Sequence, residues 1–117
     1  MIKTFKDLDV WRNGIALVKE VYTLTSKFPS TEAYGLTAQM RRSAISIPSN
    51  VAEGFKRRHT KEFKQFLNIT LGSLAELETQ IIIAKELNYI DCSTNDYILE
   101  KIDHLSRMAF NLHRKLV

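Results

Sequence analysis

The chain has 117 residues and a mass of 13.5 kDa, the size of a single domain, since domains cluster near about 100–150 residues. Hydrophobic residues make up 44% and charged residues 26%, close to globular averages, which excludes disorder as the main state. Four Gly and two Pro are too few for the frequent turns of a sandwich or barrel, so an all-α fold is expected.

The first predicted helix spans roughly residues 7–27. Leu8, Trp11, Ile15, Val18, Tyr22 and Thr25 step by 3 or 4, and a second row, Val10, Leu17, Val21, Leu24 and Phe28, runs beside it. Two adjacent rows make an apolar face wider than one partner helix covers. Either this helix sits deep in the bundle or part of it meets another subunit, with Trp11, Ile15, Val18 and Tyr22 of the first row as the candidate contact. Pro29 is expected to stop the helix.

A second helix over about 31–55 carries a core stripe of Leu36, Met40, Ala44, Ile47, Val51 and Phe55, beside a polar stripe of Gln39, Arg42, Ser46, Ser49 and Glu53. Pro48 falls inside it and removes one backbone hydrogen bond, predicting a kink or local break at 46–48. Gly54 is expected to end the helix as a left-handed cap.

Thr60 is the expected N-cap of a third helix, 60–88, with Glu62 in its first turn. Phe63, Leu67, Thr70, Leu74, Leu77, Ile81 and Ala84 alternate steps of 4 and 3, the spacing of shallow antiparallel bundle packing. Ser93 or Thr94 would cap the fourth helix, 94–116, whose stripe is Ile98, Ile102, Leu105, Ala109, Leu112 and Leu116. Four helices with short connections give an antiparallel up-down-up-down bundle, with the second helix kinked near Pro48.

The positive charge is local. Residues 41–64 carry seven basic side chains, Arg41, Arg42, Lys56, Arg57, Arg58, Lys61 and Lys64, against Glu53 and Glu62, a net +5, and the remainder sums to −1. Such a field attracts polyanions by counterion release, so nucleic acid or an anionic membrane surface is the expected partner class; RNA or DNA phosphates are the preferred reading, with these seven residues the candidate contacts. A solvated basic surface completing a helix dipole is the competing reading.

Signals for catalysis are thin. The glycines are too far apart for a phosphate-binding loop. His104 and His113 are nine residues apart, on opposite helix faces, and His59 lies in the basic loop, so no metal or cofactor is expected. Arg107 and His113 resemble the Arg-x(4–6)-His pair of the HEPN ribonucleases, yet six residues turn a regular helix by about 240°, off a common face. Asn50 and Glu53 are explained equally by helix capping and inter-helix hydrogen bonds, and Glu76 and Glu78 point apart. Tyr34 is the best candidate for an exposed aromatic. Lone Cys92 suits a reducing cytoplasm, and no signal peptide or membrane span is expected.

Phe5-Lys6-Asp7-Leu8-Asp9-Val10-Trp11, Phe28-Pro29, Tyr34 to Ala44, Ser46 to Gly54 and Ser73 to Thr79 stand in one order. That order resembles the four helix bundle proteins encoded in intervening sequences of large-subunit ribosomal RNA. The resemblance implies an up-down bundle assembled as a ring-like homopentamer, and it brings no assigned activity. The family motif falls on Arg41, Arg42, Asn50, Glu53 and Gly54. The fold is also similar to the accessory protein of diversity-generating retroelements, a basic pentamer that binds nucleic acid, which strengthens the expectation of a phosphate-binding ring. A protein-binding adaptor is the remaining alternative.

Overall fold

The computed structural model describes all 117 residues. Four helices form in chain order: α1 (Asp9–Thr25), α2 (Leu36–Lys56), α3 (Thr60–Glu86) and α4 (Cys92–Lys115), with short 3-10 turns at Phe5–Asp7 and Ser30–Glu32. Contacts run α1 to α2, α2 to α3, α3 to α4 and, most sparsely, α4 back to α1, with none across either diagonal. This is the closed square of an antiparallel four-helix bundle.

The stripes read from the sequence form the core. Met40, Ala44, Ile47 and Val51 of α2 are fully buried, as are Leu67, Thr70, Leu74, Leu77, Ile81 and Ala84 of α3. Ile98, Ile102, Leu105 and Ala109 of α4 join them, and α1 contributes Val10, Leu17 and Val21. Burying a side chain of this size stabilises by about 1.5–3 kcal/mol before entropy is counted, so these stripes hold the bundle.

Several helix ends differ from the expected ones. Asp91, not Ser93 or Thr94, caps α4, its carboxylate accepting from the Thr94 N–H at 2.7 Å. His59 is the N-cap of α3, and Thr60 is already helical. At the start of α2, the Glu32 carboxylate takes the Leu36 N–H at 3.1 Å and the Tyr89 hydroxyl at 2.8 Å. One side chain thereby ties the α1–α2 connection to the α3–α4 connection. α1 ends at Thr25, ahead of Pro29.

Of the kink or local break expected at 46–48, the break does not occur: α2 runs through Pro48 without interruption. Pro48 is buried against α1, where a Cβ on Gly14 would lie 3.2 Å from its Cβ. Loss of one hydrogen bond is offset here by packing of the ring into the space a glycine leaves. Ile47 O, one residue earlier, accepts the Thr70 hydroxyl at 3.3 Å.

Gly54 does not end α2, and no glycine has positive φ. Its role is space: a Cβ there would lie 2.7 Å from Phe66 Cβ and 3.0 Å from Phe63 Cδ1. The glycine lets α2 and α3 approach as they enter their turn. The left-handed residue of that turn is Arg58, at φ 60.

Candidate nucleic-acid interface

The α2–α3 turn gathers the basic run at one end of a molecule 43 Å long and 24 × 21 Å across. α2 delivers Lys56 as its last residue, Arg57 and Arg58 make the turn, and α3 opens with Lys61 and Lys64 in its first two turns. Lys56, Arg58 and Lys61 are exposed, Lys64 is half-buried, and none of the four takes part in an ion pair.

Arg57 differs from its neighbours. Its guanidinium meets Glu53 at 3.2 Å and Glu62 at 3.9 Å and lies 5.1 Å over the Phe66 ring. Both acidic residues of the segment are spent on this one arginine, which braces the turn and leaves the flanking cations free.

Arg41 and Arg42 do not join the cluster. Arg41 is half-buried against α1, its Nε donating to Thr25 Oγ1 at 2.9 Å and its guanidinium 4.4 Å from the Tyr22 ring centroid. It is a clamp between helices. Arg42 is exposed on the other flank of α2, 14 residues and about 21 Å along the helix from Lys56. Adjacent residues on a helix point about 100° apart, and here one turns toward α1 and the other toward the α3 side.

Asn50 and Glu53 are likewise apart in function. Asn50 Nδ2 donates to Ser46 O at 2.8 Å and Ser46 Oγ at 2.9 Å, and Ser46 Oγ meets Ser73 Oγ at 2.8 Å. These bonds knit α2 to α3. Glu53 holds Arg57, and Gly54 gives the two helices room.

On α1, Val10, Leu17 and Val21 turn inward, and the other row stays partly uncovered. Trp11, Ile15 and Val18 are half-buried and Tyr22 is exposed. Trp11 is covered on one side by the Phe5 ring, edge-on at 5.4 Å. Tyr34 is almost fully exposed, as its position after Pro29 predicts.

The Arg107 and His113 pair is not assembled within the chain. α4 is regular from Cys92 to Lys115, Arg107 bonds Asp103 at 3.1 Å, and its groove is shared with His104 rather than His113. No three His, Cys, Asp or Glu side chains converge as a metal would require. No helix is long and apolar enough to cross a membrane. Cys92 is exposed at the start of α4.

Sequence reasoning missed one polar site. Gln39, Arg42, Ser43 and Ser46 of α2 face Glu76 and Gln80 of α3 around a cavity of about 270 Å³ with no hydrophobic lining residue. Spacing within α3 sets Glu76 aside, yet its partner is Ser43 on α2, 33 residues away. Polar residues recurring beside the apolar stripes, Ser43 and Ser46 on α2, Glu76 and Gln80 on α3, were the available signal.

A solved structure agrees with this fold. A protein of unknown function from the S23 ribosomal protein family, from Bacteroides thetaiotaomicron, superposes with a TM-score of 0.84 over 91% of this chain and 96% of its own, at 18% identity. That likeness carries the fold alone. No curated protein matches the chain significantly. The family model of the 23S rRNA-intervening sequence proteins matches residues 6–111, and with the four-helix bundle in place the chain belongs to that family.

Proposed function

We propose that this chain is a non-enzymatic, oligomeric binding module of the cytoplasm that engages RNA or DNA phosphates through the α2–α3 turn. The observation that carries the reading is the set of four unpaired cations, Lys56, Arg58, Lys61 and Lys64, around a turn whose only ion-paired basic residue is Arg57. Unpaired cations on a braced turn neutralise phosphates without first breaking an ion pair, and they read backbone charge rather than base edges.

The uncovered α1 row of Trp11, Ile15, Val18 and Tyr22 is the proposed subunit contact, in a ring whose expected size is five. A ring repeats the turn around its axis and converts four cations per chain into a multivalent surface. The residues assigned to phosphate are Lys56, Arg58, Lys61 and Lys64. Arg41, Arg42 and Arg57 are withdrawn from that set because their surroundings occupy or separate them.

The test is binding to a structured RNA and a matched DNA duplex across a salt series, with a Lys56→Glu, Arg58→Glu, Lys61→Glu triple variant. Affinity should fall steeply with salt, and the slope should shrink by about one for each contact removed. An unchanged slope removes the turn from the interface. Absence of binding at low salt turns the search to protein partners, and RNA cleavage lost in His113→Ala would replace the reading with a nuclease. Sedimentation of the parent chain and of Val18→Glu tests the ring, the variant being expected to run smaller.

A further inference from the structure

The polar cavity between α2 and α3 has a composition unlike a packing defect. It is a cleft of about 270 Å³, open to solvent on the side of Arg42 and Glu76 and closed at Ser43 and Gln80, and it is walled by two amides, two hydroxyls, a guanidinium and a carboxylate. It is built between elements that the core holds rigidly, and it shares no residue with the basic turn.

Two features point to an occupant. Arg42 and Glu76 carry opposite charges on neighbouring helices and line one cavity, yet they form no ion pair within 4.0 Å. The Glu76 carboxylate reaches across to α2, where one oxygen accepts from the Ser43 hydroxyl at 3.2 Å. Opposite charges that line one polar space without pairing suit a guest that carries both charges itself. The second feature is Gln80, 6% exposed, whose amide oxygen has no hydrogen-bond partner. A buried amide left unmatched is costly unless something meets it.

We propose that this cavity binds a small zwitterion, a free α-amino acid. Arg42 takes the carboxylate, in the paired geometry a guanidinium offers. Glu76 takes the ammonium. Gln39 and Gln80 meet polar atoms of the side chain. The lack of any apolar wall selects against leucine-like or aromatic side chains and favours polar ones such as that of glutamine. The space is that of about nine water molecules, which matches roughly ten heavy atoms of glutamine.

The experiment titrates the full chain with L-glutamine and follows backbone amide resonances, with propionate and propylamine as single-charge probes and L-leucine as the apolar one. Saturable shifts centred on Ser43, Ser73 and Gln80 are expected. Arg42→Gln and Glu76→Gln should each weaken binding about tenfold or more, as loss of a charged hydrogen bond does. Both side chains are exposed, so the variants should keep the parent melting temperature, which a thermal melt checks; Lys56→Glu should bind glutamine normally. The proposal is overturned by the absence of saturable shifts, by equal binding to parent and both variants, or by either single-charge probe binding as tightly as the amino acid.

Discussion

Two glycines in helices should respond to alanine in opposite directions. At Gly54 the added Cβ would stand 2.7 Å from Phe66 Cβ, against 3.4 Å for the onset of ordinary contact, so α3 must retreat by about 0.7 Å. Phe66 Cβ is the root of its side chain and cannot rotate away, so the backbone has to move. Overpacking of this kind costs about 1–3 kcal/mol, and the gain in helix propensity returns about 1 kcal/mol. Gly72 lies in α3 with nothing within 4 Å of its would-be Cβ. Alanine there keeps the propensity gain, about 0.5–1 kcal/mol, without a clash. Gly54→Ala should therefore be less stable than the parent by up to about 2 kcal/mol and Gly72→Ala more stable, separating their melting temperatures by up to about 10 °C. Thermal melts at one protein concentration read this directly, since the proposed assembly would make stability concentration-dependent. A Gly54→Ala chain as stable as the parent would refute the steric account and restore the need for a flexible backbone at that position.

Arg58 holds φ 60, a strained value for a residue with a side chain. Arg58→Gly should raise stability by about 0.5–1 kcal/mol in a thermal melt while reducing the salt slope of nucleic-acid binding by about one. A loss of stability would mean that the side chain contributes a contact outweighing the strain. The carboxyls of Asp7, Glu32 and Asp91 sit below their ordinary range, chiefly because backbone N–H groups of Lys3, Leu36 and Thr94 respectively donate to them. Depressed folded values place their contribution above the unfolded pKa near about 4, to be lost as pH falls through the folded values. Melting temperature should drop on acidification in that window, and Glu32→Gln should flatten part of the drop; an identical acid limb would remove Glu32 from it. Tyr89 and Tyr97 are raised by donating to Glu32 and Glu20. Their contribution is present below the unfolded pKa of about 10 and lost as pH rises through the higher folded values.

What was legible in the sequence was what repeats within one helix. The α3 stripe from Leu67 to Ala84 is buried at every position read, because a period of about 3.6 residues fixes a face whatever the neighbours are. What was not legible depends on the register between helices. A glycine announces that a Cβ is unwanted, but not whether φ or a neighbouring helix forbids it; at Gly54 the reason is Phe66, twelve residues on. The caps show the same limit on a smaller scale. Asp91, Ser93 and Thr94 all carry suitable oxygens, and the choice falls to Asp91, the one placed where the chain leaves the preceding turn.

The basic segment shows why charge counting overstates a binding surface. Seven cations between Arg41 and Lys64 give a net charge that is correct as a sum and misleading as a place. Arg41 is turned to Thr25 and Tyr22, Arg42 to a cavity, and Arg57 to two glutamates. The four that remain are fewer but closer together and unpaired. Attraction to a phosphate backbone falls off within a screening length of about 8 Å at physiological salt, so the distant Arg41 and Arg42 add little to the field at the turn. The family motif around Arg41 and Gly54 then has a structural reading of its own: Arg41 clamps α1 to α2, Asn50 and Ser46 knit α2 to α3, and Gly54 sets their spacing. Those residues build the platform, and the cations beyond Gly54 are what the platform presents.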